Sequence, residues 1–119
     1  MKDLLRVREL TRTLRNLAAS PKEQVRYLTE LGTAPCVDEL ALEFDDALHL
    51  VDRDALRCKF PDAELSLSAL NTELSALSGK AQTNLWTADA LEQSNEWARV
   101  RGLARQVLIG LEAVENEDF

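Results

Sequence analysis

Asp38-Glu39-Leu40-Ala41-Leu42-Glu43-Phe44-Asp45-Asp46-Ala47-Leu48-His49-Leu50-Val51-Asp52-Arg53-Asp54 sets seven carboxylates against one base, Arg53. With Val37 just before it, the stretch repeats apolar residues at Val37, Leu40, Phe44, Ala47, Leu48 and Val51. At roughly 100° per residue these positions share one arc, the signature of an amphipathic helix rather than of an alternating strand. A helix over about 37–52 is therefore expected. Glu39, Glu43, Asp46 and Arg53 fall on one flank of its polar side, and Asp38, Asp45, His49 and Asp52 on the other. Leu42 lies between those flanks, an apolar residue among acids.

The same period runs through the neighbouring segments. A first helix is expected from Asp3 to Ala18, with Asp3 as cap and Leu4, Val7, Leu10, Leu14 and Leu17 as its stripe. Ser20-Pro21-Lys22-Glu23 supplies an N-cap serine, a proline at the first helical position and a capping-box glutamate. Val25, Leu28 and Leu31 should then face inward, with Gly32 as a left-handed cap. After the Thr33–Cys36 turn and the third helix, residues 53–61 read as a loop holding at most one helical turn. Asp62 is expected to cap a fourth helix carrying Leu65, Leu70, Leu74 and Leu77, closed by Ser78-Gly79. Past a polar connection at 80–84, Thr87 should cap the longest helix, 88–114, striped by Trp97, Val100, Ala104, Val107, Leu111 and Val114. Leu91 and Leu108 flank that stripe, while Ala98, Gly102 and Arg105 mark a second face with small residues. Glycine occurs only at 32, 79, 102 and 110 and proline only at 21, 35 and 61, so the elements should be few and long. The expected architecture is all-α, one domain over 1–119 built as a compact bundle of about five helices.

Charge is distributed unevenly along the chain. Residues 1–26 carry seven bases and three acids, net +4, and residues 27–75 carry three bases and eleven acids, net −8. The whole chain stands at −7, which disfavours nucleic-acid binding, since that affinity comes largely from neutralising phosphates. A helix-turn-helix reading of helices two and three would drive six acids into a DNA groove and is rejected on electrostatic grounds. No apolar run is long enough to cross a bilayer, and charges interrupt the opening Met1–Arg8 segment where a signal peptide needs an apolar stretch. A cytoplasmic protein with no membrane association is expected, and Cys36 and Cys58 should be small buried residues with free thiols.

No nucleotide loop, nucleophile elbow or zinc pattern is present, so no catalytic residue and no cofactor is assigned. Trp86 and Trp97 read as packing residues rather than a ligand cage. Arg8, Arg12 and Arg15, with Arg6 nearby, share one face of the first helix; a phosphate-binding stripe is one reading, and the favoured one places these bases against the acidic third helix or in solvent. The acidic face itself has two readings. As a solvated face it needs only one incidental exposed leucine. As a partner surface it uses Glu39, Leu42, Glu43, Asp46 and His49, with Leu42 as apolar anchor and the carboxylates steering a basic protein toward it.

A competing reading takes Glu39, Glu43, Asp46 and His49 as the ligands of a metal-dependent hydrolase. In Glu43-x-x-Asp46-x-x-His49 the carboxylate-x-x-His spacing of di-iron bundles occurs once, with aspartate, so a complete site of that kind would need a dimer; Glu43-x-x-Asp46 is also half of a magnesium-binding pattern whose companion Glu-x-x-Glu occurs only at Glu112 and Glu115. A homodimer seam along residues 88–114, with Ala98 and Gly102 permitting close approach, is a third possibility.

Leu31-Gly32 with Val37 through Asp46, and Leu85-Trp86-Thr87-Ala88-Asp89-Ala90-Leu91 with Glu96 through Arg101, resemble segments of small, uncharacterised helical proteins of actinobacteria. The resemblance covers roughly residues 20–110. It implies a bacterial cytoplasmic origin and carries over no functional residue. The expectation from the residues themselves is a non-enzymatic interaction protein, of immunity or antitoxin type or an adaptor, that offers its third helix to a basic protein.

Overall fold

Short polar caps start most of the helices in the computed structural model of this chain. It describes the backbone of residues 7–31, 37–77 and 85–117, and the side chains of 8–31, 37–77 and 85–111. After α1 (Val7–Ala18), Ser20 Oγ accepts from the Glu23 amide at 3.3 Å and Pro21 takes the first position of α2 (Pro21–Glu30). The acidic stretch forms α3 (Asp38–Leu48). Asp52 then accepts from the Ala55 amide at 3.0 Å and opens α4 (Arg53–Lys59), which leads into α5 (Pro61–Leu77). Thr87 Oγ accepts from the Ala90 amide at 3.1 Å to begin α6 (Ala88–Gln93), and Ser94 Oγ accepts from the Trp97 amide at 3.1 Å to begin α7 (Asn95–Glu117). Each of these bonds satisfies an amide that the first helical turn leaves without a partner.

The described residues form seven helices and no strand, against an expectation of about five. Two caps make the difference. Asp52 is extended (φ −80°, ψ 93°), so α3 stops at Leu48 and the segment expected as a loop becomes a helix of its own. Ser94 is also extended (φ −84°, ψ 145°) and divides the long helix expected over 88–114. Asp62 is not a cap, because α5 already starts at Pro61, whose ring suits the first helical position. Expectations at Leu4, Gly32, Cys36, Gly79 and 80–84 lie outside the described residues, as do the side chains of Val7, Glu112, Val114 and Glu115.

The long helix α7 lies at the centre, against both α5 and α1; α1 in turn carries α3, and α5 carries α4. The core is mostly leucine: Leu10, Leu14 and Leu17 of α1, Leu40 and Phe44 of α3, Leu67, Leu70, Leu74 and Leu77 of α5. Trp97, Val100, Ala104, Val107 and Leu111 of α7 complete it, as their spacing predicts. On α5 the inward set is Ala63, Leu67, Leu70, Leu74 and Leu77, whereas Leu65 is 69% exposed. Leu65 and Leu67 are two residues apart on a helix and cannot share a face, and the 3–4 spacing selects Leu67. Leu31 is exposed rather than inward, and Cys58 is an exposed free thiol rather than a small core residue.

Two contacts define how the central helices meet. A Cβ on Gly110 would come within 2.8 Å of the Ala63 Cβ, so glycine permits the close approach of α5 and α7. Gly102, by contrast, has open space where its Cβ would be, and Ala98 and Arg105 beside it are exposed. At the far end, Trp86 and Trp97 meet edge to face with centroids 5.5 Å apart. Their indole nitrogens donate to the Leu77 carbonyl at 2.7 Å and the Leu85 carbonyl at 2.6 Å, tying α5 to the start of α6. Both tryptophans are packing residues. The radius of gyration, 14.3 Å, is near the roughly 13.5 Å expected for a compact chain of this length. Among the described residues no helix is long and apolar enough to cross a membrane.

Candidate functional site

Helix α3 buries Leu40, Phe44, Ala47 and Leu48 and turns Asp38, Leu42, Asp45 and Asp46 to solvent. Glu39 is half-buried at the edge of the same face. His49 stands in the turn that follows, its ring 75% exposed, with Nδ1 2.7 Å from the Asp45 carbonyl and 3.8 Å from the Asp45 carboxylate. Leu42 is 54% exposed and Leu50, beside His49, is 51% exposed. Leu50 is a second apolar residue on this acidic surface; at about 100° per residue it falls on the flank of Glu39, Glu43 and Asp46, off the apolar arc, so the helical period already turns it outward. Asp38, Glu39 and Asp46 have no ion-pair partner among the described residues.

Glu43 is placed differently from the other four residues of the expected surface. Both its carboxylate oxygens accept from the Tyr27 hydroxyl of α2, at 2.7 and 2.8 Å, and the Arg12 guanidinium of α1 lies 4.0 Å away. Burial, and then the Glu43 carboxylate, push the Tyr27 phenol above its ordinary pKa. Arg12 also donates through Nε to both oxygens of Glu9 at 3.1 Å, which holds the Glu9 carboxyl below its usual range. Glu43 thus joins α3 to α2 and α1, while Glu39, Leu42, Asp46 and His49 remain on the outer side. Of the basic stripe on α1, only Arg12 turns toward α3; Arg8 and Arg15 are exposed.

Two residues of the acidic stretch are engaged away from the α3 face, both only partly buried. Asp52 is spent on the α4 cap, and Arg53 reaches α5. There Arg53 Nε and Nη2 donate to Glu64 at 2.8 and 2.7 Å, and Ser68 Oγ donates to the same carboxylate at 3.1 Å. The Arg53 guanidinium, more than burial opposes it, holds the Glu64 carboxyl below its ordinary range. Removing the one base from the stretch leaves the α3 face more uniformly acidic than its sequence implies.

Beside Leu42, a shallow groove of about 230 Å³ opens between α3 and α5, lined by Leu42, Phe44 and Asp45 on one side and Asn71, Leu74 and Ser75 on the other. It offers apolar surface at its base and a carboxylate at its rim. The ligand set of the hydrolase reading does not converge within the chain: among the described residues no three His, Cys, Asp or Glu side chains are grouped to hold a metal ion. No protein family, no curated protein and no solved structure matches this chain.

Proposed function

We propose that the protein is a non-enzymatic interaction module that binds a basic protein through the outer face of α3. The observation that carries this reading is the exposed Leu42 set among Asp38, Glu39 and Asp46, carboxylates with no cation of the described chain to neutralise them. Unpaired exposed carboxylates are well hydrated and steer a cationic surface at long range; the apolar residues supply the short-range contact that holds it. Leu42, Leu50 and the α3–α5 groove form that apolar part, and His49, exposed next to Leu50, adds a polar contact beside it. Glu43 serves the surface from behind by holding α3 against α1 and α2 through Tyr27 and Arg12. A nuclease inhibitor of immunity or antitoxin type is one concrete form, because a nuclease cleft must be cationic to hold nucleic acid.

The test is capture of partners from native lysate by tagged wild type and by Leu42→Arg/Asp46→Lys, with mass spectrometry as readout. Both positions are exposed, so the variant should keep the wild-type circular dichroism and melting temperature. A basic protein retained only by the wild type supports the reading. Identical captures by a folded variant contradict it.

A further inference from the structure

The arginines of the described chain fall into two groups, with one exception. Arg12, Arg53, Arg57 and Arg99 each meet a carboxylate, while Arg8, Arg15, Arg26 and Arg105 are exposed to water. Arg101 has no carboxylate and only a small contact with water. It is 9% exposed, the only buried arginine among the described residues, and no carboxylate pairs with it. A buried cation without a counter-charge is costly, and carbonyl dipoles relieve that only in part.

Its partners all sit at one corner of the guanidinium. Arg101 Nη1 donates to the Leu91 carbonyl at 2.9 Å, near the C-terminus of α6, and to Gln24 Oε1 at 3.4 Å. Gln24, itself buried, donates to the Asn16 and Leu17 carbonyls at 3.1 and 3.0 Å, so its orientation is fixed. Nε and Nη2 of Arg101 have no acceptor among the described residues, yet they are not sealed from solvent. Asn16 Nδ2 is the one described side-chain polar atom both fully buried and unpartnered. The free edge therefore keeps some contact with solvent.

The next turn of α7 brings Arg105, which donates through Nη2 to the Ala18 carbonyl at 3.3 Å. The two cations repel: burial first, and then the Arg105 charge, lower the Arg101 pKa. Elsewhere in this molecule the same Nε/Nη2 edge is filled by a carboxylate, as Glu64 fills that of Arg53. That planar fork matches carboxylate or phosphate oxygens in pairs.

We infer that the unpartnered edge of Arg101 beside Arg105, where α7 meets the end of α1, α2 and α6, is a binding site for an oxyanion on a small molecule. The anion takes the free Nε/Nη2 edge of Arg101 as a bidentate pair, with Arg105 supplying the second charge. This site lies apart from the acidic α3 face and depends on none of its residues.

The experiment is a titration of wild-type protein with inorganic phosphate and, separately, with citrate and acetate, in millimolar amounts at ionic strength matched with potassium chloride. Melting temperature and the Arg101 Nε–H resonance are read together. Matched ionic strength and low concentration remove the general stabilisation that excluded anions give. The expected result is a saturable rise in melting temperature with a shift of the Arg101 resonance. Tighter binding of phosphate than of the acids identifies a phosphoryl ligand, and the reverse order a carboxylate. Arg105→Gln, at an exposed position, should weaken the affinity about tenfold, as loss of one charge-assisted contact does. Arg101→Lys keeps the charge but loses the fork and should abolish saturation; if it does not fold, Arg105→Gln alone decides. An Arg101 resonance indifferent to all three anions, or equal responses in wild type and Arg105→Gln, overturns the inference.

Discussion

Replacing Gly110 by alanine should destabilise the protein, although the same change one face away should stabilise it. Alanine is the better helix former by about 1 kcal/mol, and both glycines lie inside α7, so propensity favours both substitutions equally. What differs is the neighbour. At Gly110 the new Cβ would meet the Ala63 Cβ at 2.8 Å and its Cα at 3.1 Å, atoms that no rotamer change can move. The α5–α7 contact must open, and overpacking of that kind costs about 1–3 kcal/mol. Taking about 2 kcal/mol for the clash against about 1 for propensity, Gly110→Ala should lose roughly 1 kcal/mol, or about 4 °C in melting temperature. At Gly102 nothing stands within 4 Å, so Gly102→Ala should gain up to about 1 kcal/mol.

Urea unfolding followed by circular dichroism measures both, and the urea dependence should stay unchanged because neither variant alters the surface exposed on unfolding. Ala63→Gly in the Gly110→Ala background removes the closest contact and should recover part of the loss, a coupling that a mere propensity effect does not produce. Gly110→Ala as stable as Gly102→Ala would refute the close crossing of α5 and α7.

Three further outcomes follow from local contacts. Ser94→Ala removes the acceptor for the Trp97 amide and should cost about 1 kcal/mol in denaturant unfolding, with no change in the Trp86–Trp97 fluorescence environment of the folded state. Glu64→Gln should lose about 2 kcal/mol at neutral pH, since a charge-assisted pair is replaced by a neutral one. The folded Glu64 pKa is depressed, so its contribution is full above the unfolded value of about 4.3 and vanishes as pH falls through the folded value. Stability of wild type and Glu64→Gln measured from pH 7 downward should therefore converge in acid, and parallel curves would contradict the pairing. Cys58, exposed on α4, should react with a thiol reagent in the native protein at a rate close to that in denaturant.

The starts of α2 and α6 are legible in sequence because Ser20-Pro21 and Thr87 act on amides three residues away, within their own turn. The Trp97–Leu111 stripe is legible for a similar reason, since one helix face carries it without interruption. Asp52 and Ser94 are harder. Each also fits as an ordinary polar position within a longer amphipathic helix, and only packing of the flanking segments decides that the chain bends there. The register of α5 is legible once the spacing is followed strictly, since Leu67, Leu70, Leu74 and Leu77 run at 3, 4 and 3 residues while Leu65 does not, and the same side brings Ala63 against Gly110.

On the acidic surface, the exposure of Leu42 and Asp46 follows from the helical period, but the placement of Glu43 does not. Its partners Tyr27 and Arg12 lie on other helices and reach it only when α1 and α2 fold back beneath α3. Arg101 is hidden for the same reason. In sequence it is one base among several on α7, and its burial is created by α2 and α6 closing over it.

The decisive measurement is a calorimetric titration of the captured basic partner into wild type and into Leu42→Arg/Asp46→Lys, at about 0.05 M and about 0.3 M salt, where the screening length differs about 2.5-fold. A central apolar anchor contributes at least about 2 kcal/mol, so the variant should bind about thirtyfold more weakly or worse. Wild-type affinity should fall with salt as exposed carboxylates are screened. Equal affinities for the two proteins, with the variant folded, would mean that the α3 face is a solvated surface and not the binding site.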